Sequence, residues 1–192
     1  MKPLTPEVIK LPKRTVLSVT LVGAPGTTAS TAMPALYGTA YGTKSKVFKP
    51  KKKEMKIGAP SAFWPDAHRK PKSKWTAIWN LEIPAFVKQK DLIQKNPKLP
   101  AKITMLKAGL YAQVLYIGTY DSEGPTIKQL HAYIKEQKLV LAGPHEEVYL
   151  SRPGPRAKTI IRYAVKPAPI PGMRSVQPRA GAKAPTGISR AP

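Results

Sequence analysis

GLYAQVLYIGTY, residues 109 to 120, is free of charge and rich in β-branched, leucine and tyrosine side chains, the composition of a strand packed on both faces. Asp121-Ser122-Glu123-Gly124-Pro125 stops it. From Thr126 to Lys138 the apolar positions Ile127, Leu130 and Ile134 recur at helical spacing, with Lys138 next on the same stripe, while Lys128, Gln129, Lys135 and Glu136 fall elsewhere. Asp121 and Glu123 ahead of that segment and Lys138 at its end suit a helix dipole. His145 to Ser151 then alternates as a strand, with His145, Glu147, Tyr149 and Ser151 on one face and Glu146, Val148 and Leu150 on the other. After the turn-forming Arg152-Pro153-Gly154-Pro155, Lys158 to Val165 reads as a last strand carrying Thr159, Ile161, Tyr163 and Val165 on one face. The unit is therefore strand, helix, strand, strand. It ends with a carboxylate and a phenol, Glu147 and Tyr149, pointing the same way.

The first half follows the same order. Thr15 to Val22 is a strand ended by Gly23-Ala24-Pro25-Gly26, and Ala29 to Thr43 is a small-residue helix weakened by two glycines and expected to be irregular at Pro34. Met55 to Trp64 and Trp75 to Ile83 supply two more strands. Sequence identity between the halves is negligible, so an internal duplication rests on element order alone. The fold class is α+β.

At 192 residues with 42% hydrophobic content the chain can hold one full-sized core, but 22 prolines are too many for one regular fold. The expected organisation is a basic N-terminal arm at 1–14, a ligand-binding domain at 15–166 and a mobile proline-rich basic tail at 167–192. With no cysteine, disulfides, thiolate metal sites and a thiol nucleophile are excluded. His68, His131 and His145 make no metal site by spacing, so neither metal nor cofactor is expected. No signal-like run and no apolar stretch of spanning length occur, so no membrane partner is expected and the cytoplasm is the default location.

The net charge of +23 is unevenly spread: residues 44–74 hold eleven Lys or Arg against Glu54 and Asp66, and residues 88–107 hold six against Asp91. Such a surface favours polyanions through counterion release, so non-specific nucleic-acid contact is one partner alternative, and a solvated surface with a protein partner is another. No nucleic-acid-binding motif accompanies it.

All three tryptophans, Trp64, Trp75 and Trp79, fall on two neighbouring predicted strands. They are either core packing or an aromatic wall. Opposite a carboxylate such a wall suits a planar, partly cationic compound, through stacking and cation–π attraction of roughly 0.5–2 kcal/mol per contact. Tyr111, Tyr116 and Tyr149 are further wall candidates, but Tyr111 and Tyr116 lie on opposite faces of their strand, so at most one of them lines a cavity. Glu147 either serves such a pocket or pairs with Arg162 or Arg156.

Four stretches, Ala32–Tyr41, Trp75–Val87, Gly109–Tyr120 and His145–Ser151, resemble the stand-alone GyrI-like small-molecule-binding proteins, relatives of the effector-binding domains of bacterial transcription activators. The resemblance implies a pseudo-two-fold antiparallel sheet with two helices on one side and a central aromatic-lined cavity. Glu147 then becomes the pocket carboxylate, and the bound compound is a hydrophobic or aromatic small molecule that is sensed or sequestered without a fused DNA-binding domain. Some relatives resemble hydrolases of cyclopropane-containing alkylating compounds; in that reading Glu147 and Tyr149 are the catalytic candidates. The place of a second pocket carboxylate in those relatives aligns with Ser61, which departs from that pattern.

Overall fold

Pro12 and Lys13 alone separate two strands that lie near opposite sides of one sheet, and this short link shapes the whole molecule. A computed structural model describes residues 1–169. Nearly all of the tail read at 167–192 lies outside them. The elements are β1 (Glu7–Leu11), β2 (Arg14–Val22), α1 (Pro25–Thr43), β3 (Pro60–Trp64), β4 (Thr76–Ile83), β5 (Lys102–Leu106), β6 (Gly109–Ile117), α2 (Gly124–Glu136), β7 (Leu139–Tyr149) and β8 (Lys158–Pro167). The eight strands form one antiparallel sheet in the order β1-β6-β8-β7-β3-β4-β2-β5.

The duplication is real and larger than expected, because each unit opens with an extra short strand. Exchanging β1 to β4 with β5 to β8 leaves the strand order unchanged when it is read backwards, so a pseudo-two-fold axis passes between β3 and β7. Each leading strand pairs with the other unit: β1 with β6, and β5 with β2. Leu11 faces Gly109 and Arg14 faces Leu106, so the ladder runs on in one register across the paired bends at Pro12-Lys13 and Lys107-Ala108. The sheet stays open, since β1 and β5 do not pair, but these shared bends curl it and draw its two ends together. Residues 7–11, expected in an arm, are strand.

Both helices lie on one face, α1 against β2 and β4 and α2 against β6 and β7. Helix α1 buries Thr28, Ala32, Ala35, Leu36, Thr39, Ala40 and Thr43, a stripe of mostly small residues that lets the backbone approach the sheet closely. It begins at Pro25, where a missing N–H is harmless, rather than after the turn expected there. It also runs through Pro34 without interruption. Helix α2 buries Thr126, Leu130 and Ile134 and ends before Lys138, which adopts a left-handed conformation (φ 56°) instead of extending the helical stripe. Ala142-Gly143-Pro144 makes a register shift inside β7. Two apolar cores result, one under each helix: Leu17, Leu36, Met55 and Leu81 in the first, Val114, Leu130 and Ile161 in the second.

Candidate functional site

Between the two helices, on the face they share, the sheet is left uncovered along β3 and the second half of β7. There Ala62 pairs with Glu147 and Trp64 with His145. By alternation Trp64, Trp79, Glu147 and Tyr149 all rise from this face. They line a cleft of about 1140 Å³ closed on one side by Ala29, Met33 and Tyr37 of α1 and on the other by Glu123, Gly124 and Ile127 at the start of α2. The helices flank the cavity rather than back it.

Aromatic rings build its floor and walls. Trp64 meets Trp75 and Trp79 edge to face at 5.7 and 5.6 Å, Trp79 lies tilted on Tyr149 at 5.5 Å, and Tyr120 meets Tyr149 edge to face at 5.6 Å. Trp75 stands just before β4, its indole N–H donating to the Lys70 carbonyl at 2.7 Å. The Nε1 groups of Trp64 and Trp79 are buried without acceptors. Asp66 accepts from Lys70 Nζ, Thr76 N and Thr76 Oγ1, which fixes the loop that carries Trp75.

Glu147 sits at the centre with both oxygens engaged. Tyr149 Oη donates to Oε2 at 2.7 Å, and His145 Nε2 lies 3.0 Å from Oε1. His145 Nδ1 is 2.7 Å from Tyr163 Oη. Burial pushes the Tyr163 phenol above its ordinary value, with Glu123 and Glu147 adding to the effect, so it keeps its proton and donates to Nδ1. With Nδ1 accepting from Tyr163, the imidazole hydrogen on Nε2 is aimed at Glu147. Burial first, and Glu147 second, push Tyr149 well up, so it too remains a donor. Arg162, weighed as a partner for Glu147, instead faces Glu146 on the opposite side of the sheet.

A second carboxylate enters from a place the sequence did not single out. Glu123, expected only as a helix-dipole residue, brings its carboxyl beside Glu147, with Oε2 buried and unpartnered. Burial, then the charge of Glu147, push Glu123 up to about 8. Ser61, aligned with the relatives' second acid, lies on the far face, so the cleft's acid pair is Glu123 and Glu147 instead. Ligand atoms of Glu123, His145 and Glu147 all lie within 4.8 Å of one another, a set able to hold a cation that spacing along the chain did not reveal.

Two expected wall residues are absent from the cleft. Tyr111 is buried on the far face with its hydroxyl donating to the Lys107 carbonyl at 3.1 Å. Tyr116 shares the helix face, but it is part of the apolar core beneath α2, and its hydroxyl donates to the Thr119 carbonyl at 2.9 Å. Tyr120 takes the place expected for them. Across the mouth, Lys72 Nζ reaches Asp121 Oδ1 at 2.8 Å, joining a loop of each half. Among the described residues no helix is long and apolar enough to cross a membrane.

A curled, duplicated α+β sheet with an aromatic cleft around an internal carboxylate defines a small-molecule-binding class. The chain belongs to the GyrI-like small molecule binding domain family, whose match spans residues 4–166. Among solved structures it is similar to an uncharacterized conserved protein from Listeria innocua, with 23% identity, TM-score 0.75, and 85% of this chain and 93% of that one covered. A hydrolase from Listeria innocua matches with 23% identity, TM-score 0.71, and 86% and 94% covered. The EcmrR C-terminal domain matches with 12% identity, TM-score 0.62, and 85% and 98% covered. These likenesses concern the fold. No curated protein sequence matches the chain.

Proposed function

We propose that the cleft binds a planar aromatic compound bearing one positive charge or a strong hydrogen-bond donor, held between the indoles of Trp64 and Trp79 and the carboxylate of Glu147. One observation carries this reading: Glu147 is a nearly buried acid whose two oxygens are each tied to a donor, Tyr149 and His145, inside an aromatic wall. Two donors hold the carboxylate in a fixed orientation, and the rings around it supply quadrupoles of the sign a cation prefers. Family membership supports a small-molecule occupant. Drug sensing or sequestration is the use this binding would serve, with any signal passed to a separate protein.

The test is quenching of tryptophan fluorescence by N-methylacridinium and by neutral acridine, at pH 8 and at 50 and 300 mM salt. The cation is expected to bind more tightly than the neutral ring, to lose about tenfold or more in Glu147→Gln, and to change little with salt. Equal binding of both rings, or an unchanged affinity in Glu147→Gln, overturns the reading. Binding that collapses with salt assigns the interaction to the basic surface, the site of any nucleic-acid contact.

The Glu123–Glu147 pair favours hydrolysis as a second reading. A carboxyl that keeps its proton near neutral pH beside one held by two donors is a general acid next to a general base. In this reading Glu147 activates water and Glu123 protonates the leaving group. Turnover of an electrophilic aromatic substrate that vanishes in both Glu123→Gln and Glu147→Gln, with Glu123→Gln still binding, supports it; binding without product assigns the cleft to capture alone.

A further inference from the structure

The curled sheet lines a second, partly open cavity on the face turned away from the helices, and its chemistry differs from that of the cleft. On this face Glu146 is 1% exposed, and Ser61, Gln113 and Arg162 are buried with it. Arg14, placed at the bend by Pro12 and Lys13, reaches across the sheet to Glu146 with both terminal nitrogens at 3.2 Å. Arg162 stands only 3.8 Å from the same carboxylate and spends its Nε on Gln113 Oε1 at 2.9 Å. Gln113 in turn donates to Glu7 at 2.8 Å. Both guanidinium groups lie over the ring of Tyr111, at 5.7 and 6.0 Å.

The interior of this network therefore holds two guanidinium ions against one carboxylate. Two further acids stand at its margin, Glu82 exposed and Glu7 half-buried. Burial holds Arg162 below its ordinary value, and the charge of Arg14 adds to that against the pull of Glu146. Arg14 Nε is buried and has no acceptor. Donors and positive charge are in excess where solvent is scarce, which favours an added anion.

Space and shape narrow the choice. The cavity encloses about 260 Å³, below the roughly 300–1,000 Å³ of pockets for drug-sized compounds. Arg14, Arg162 and Ser61 form its polar side, and Leu11, Val16 and Val148 its apolar side. One negative charge balances the surplus of the buried interior, whereas a divalent oxyanion would be repelled more strongly by Glu146, Glu82 and Glu7. The planar fork of a guanidinium matches the two oxygens of a carboxylate.

We propose that this cavity is a binding site for a small organic monocarboxylate, its head on Arg14 and Arg162 and its short hydrocarbon body against Leu11, Val16 and Val148. The site lies back to back with the cleft, since Glu146 and Glu147 are neighbours on β7 with opposite faces. The proposal is independent of what the cleft binds.

Titration calorimetry of the full chain with butyrate at constant ionic strength, against chloride and inorganic phosphate, tests it. Saturable butyrate binding that exceeds both controls is expected, weakened at least tenfold in Arg162→Lys and tightened several-fold in Glu82→Gln, where the competing acid is gone. Ser61→Leu, which fills the cavity and leaves the ion pairs in place, is expected to abolish binding with the thermal midpoint retained. No saturable heat over chloride, equal binding of phosphate, or binding unchanged in Ser61→Leu overturns the proposal. Displacement of butyrate by saturating N-methylacridinium would place it in the cleft, and also overturns it.

Discussion

Glu123→Gln isolates the acid pair because it replaces a carboxyl with its uncharged isostere. The Glu123 carboxyl is pushed up to about 8 from an ordinary 4.5, by burial and then by Glu147. Between those two values the native state keeps a proton that the unfolded chain has released. Stability therefore falls as pH rises through that window and levels off above it. At about 1.36 kcal/mol per pH unit the ceiling on this loss is roughly 4–5 kcal/mol, and water reaching the cleft screens it to an expected value of about 2 kcal/mol between pH 5 and pH 9. Glutamine mimics the protonated group and offers an amide donor to Glu147, so the variant should match wild type at pH 5 and exceed it by about 2 kcal/mol at pH 9. Urea unfolding followed by tryptophan fluorescence at pH 5, 7 and 9 measures the difference, and titrations common to both proteins cancel. A stability difference that stays constant within about 0.5 kcal/mol across that range would refute the reasoning. The same ionisation should tighten binding of N-methylacridinium above pH 8 in wild type and not in the variant.

Trp79→Ala removes a 4%-exposed ring packed on Trp64 and Tyr149 and should cost about 3–5 kcal/mol in denaturant unfolding, with Trp79→Phe recovering most of it. Asp66 is held well below the usual carboxylate range by Lys70 and by the Thr76 N–H and hydroxyl, so its contribution is present at neutral pH and lost on acidification. Asp66→Asn should accelerate hydrogen exchange of the Thr76 amide at pH 7, and an unchanged rate would count against the loop-fixing role. Lys138→Gly relieves a left-handed backbone (φ 56°) just beyond α2 and should raise stability by about 0.5–1 kcal/mol; a loss instead would mean that the lysine side chain contributes more than the strain costs.

The second unit was legible because its signals are long and regular. The charge-free run at 109–120 and the helical stripe of Ile127, Leu130 and Ile134 each placed an element within a few residues of where it lies, while the alternation at 145–151 found only the second half of β7, which begins at Leu139. The same alternation put Glu147 and Tyr149 on one face, where the structure has them. The leading strands escaped notice because EVIKL and KITML are short, form the sheet's outermost strands and pair with the opposite unit, so local pattern carries little of their stability. Glu123 and Tyr120 were read as parts of a stop before α2, which locally they are. Only the docking of α2 beside the end of β7 turns them inward. Tyr116 shows the converse limit, since alternation assigns a face but not whether a helix already covers it.

The exchange of β1 and β5 between units also bears on ancestry and on dissection. A lone half of this chain, expressed as residues 1–88 or 101–169, would carry its first strand with nothing of its own to receive it, and a second copy would offer the vacant edge. Such a fragment should self-associate as an arm-exchanged pair. The single chain then holds covalently what two such fragments would hold between them, with Ala62 of one unit facing Glu147 of the other across the pseudo-two-fold axis.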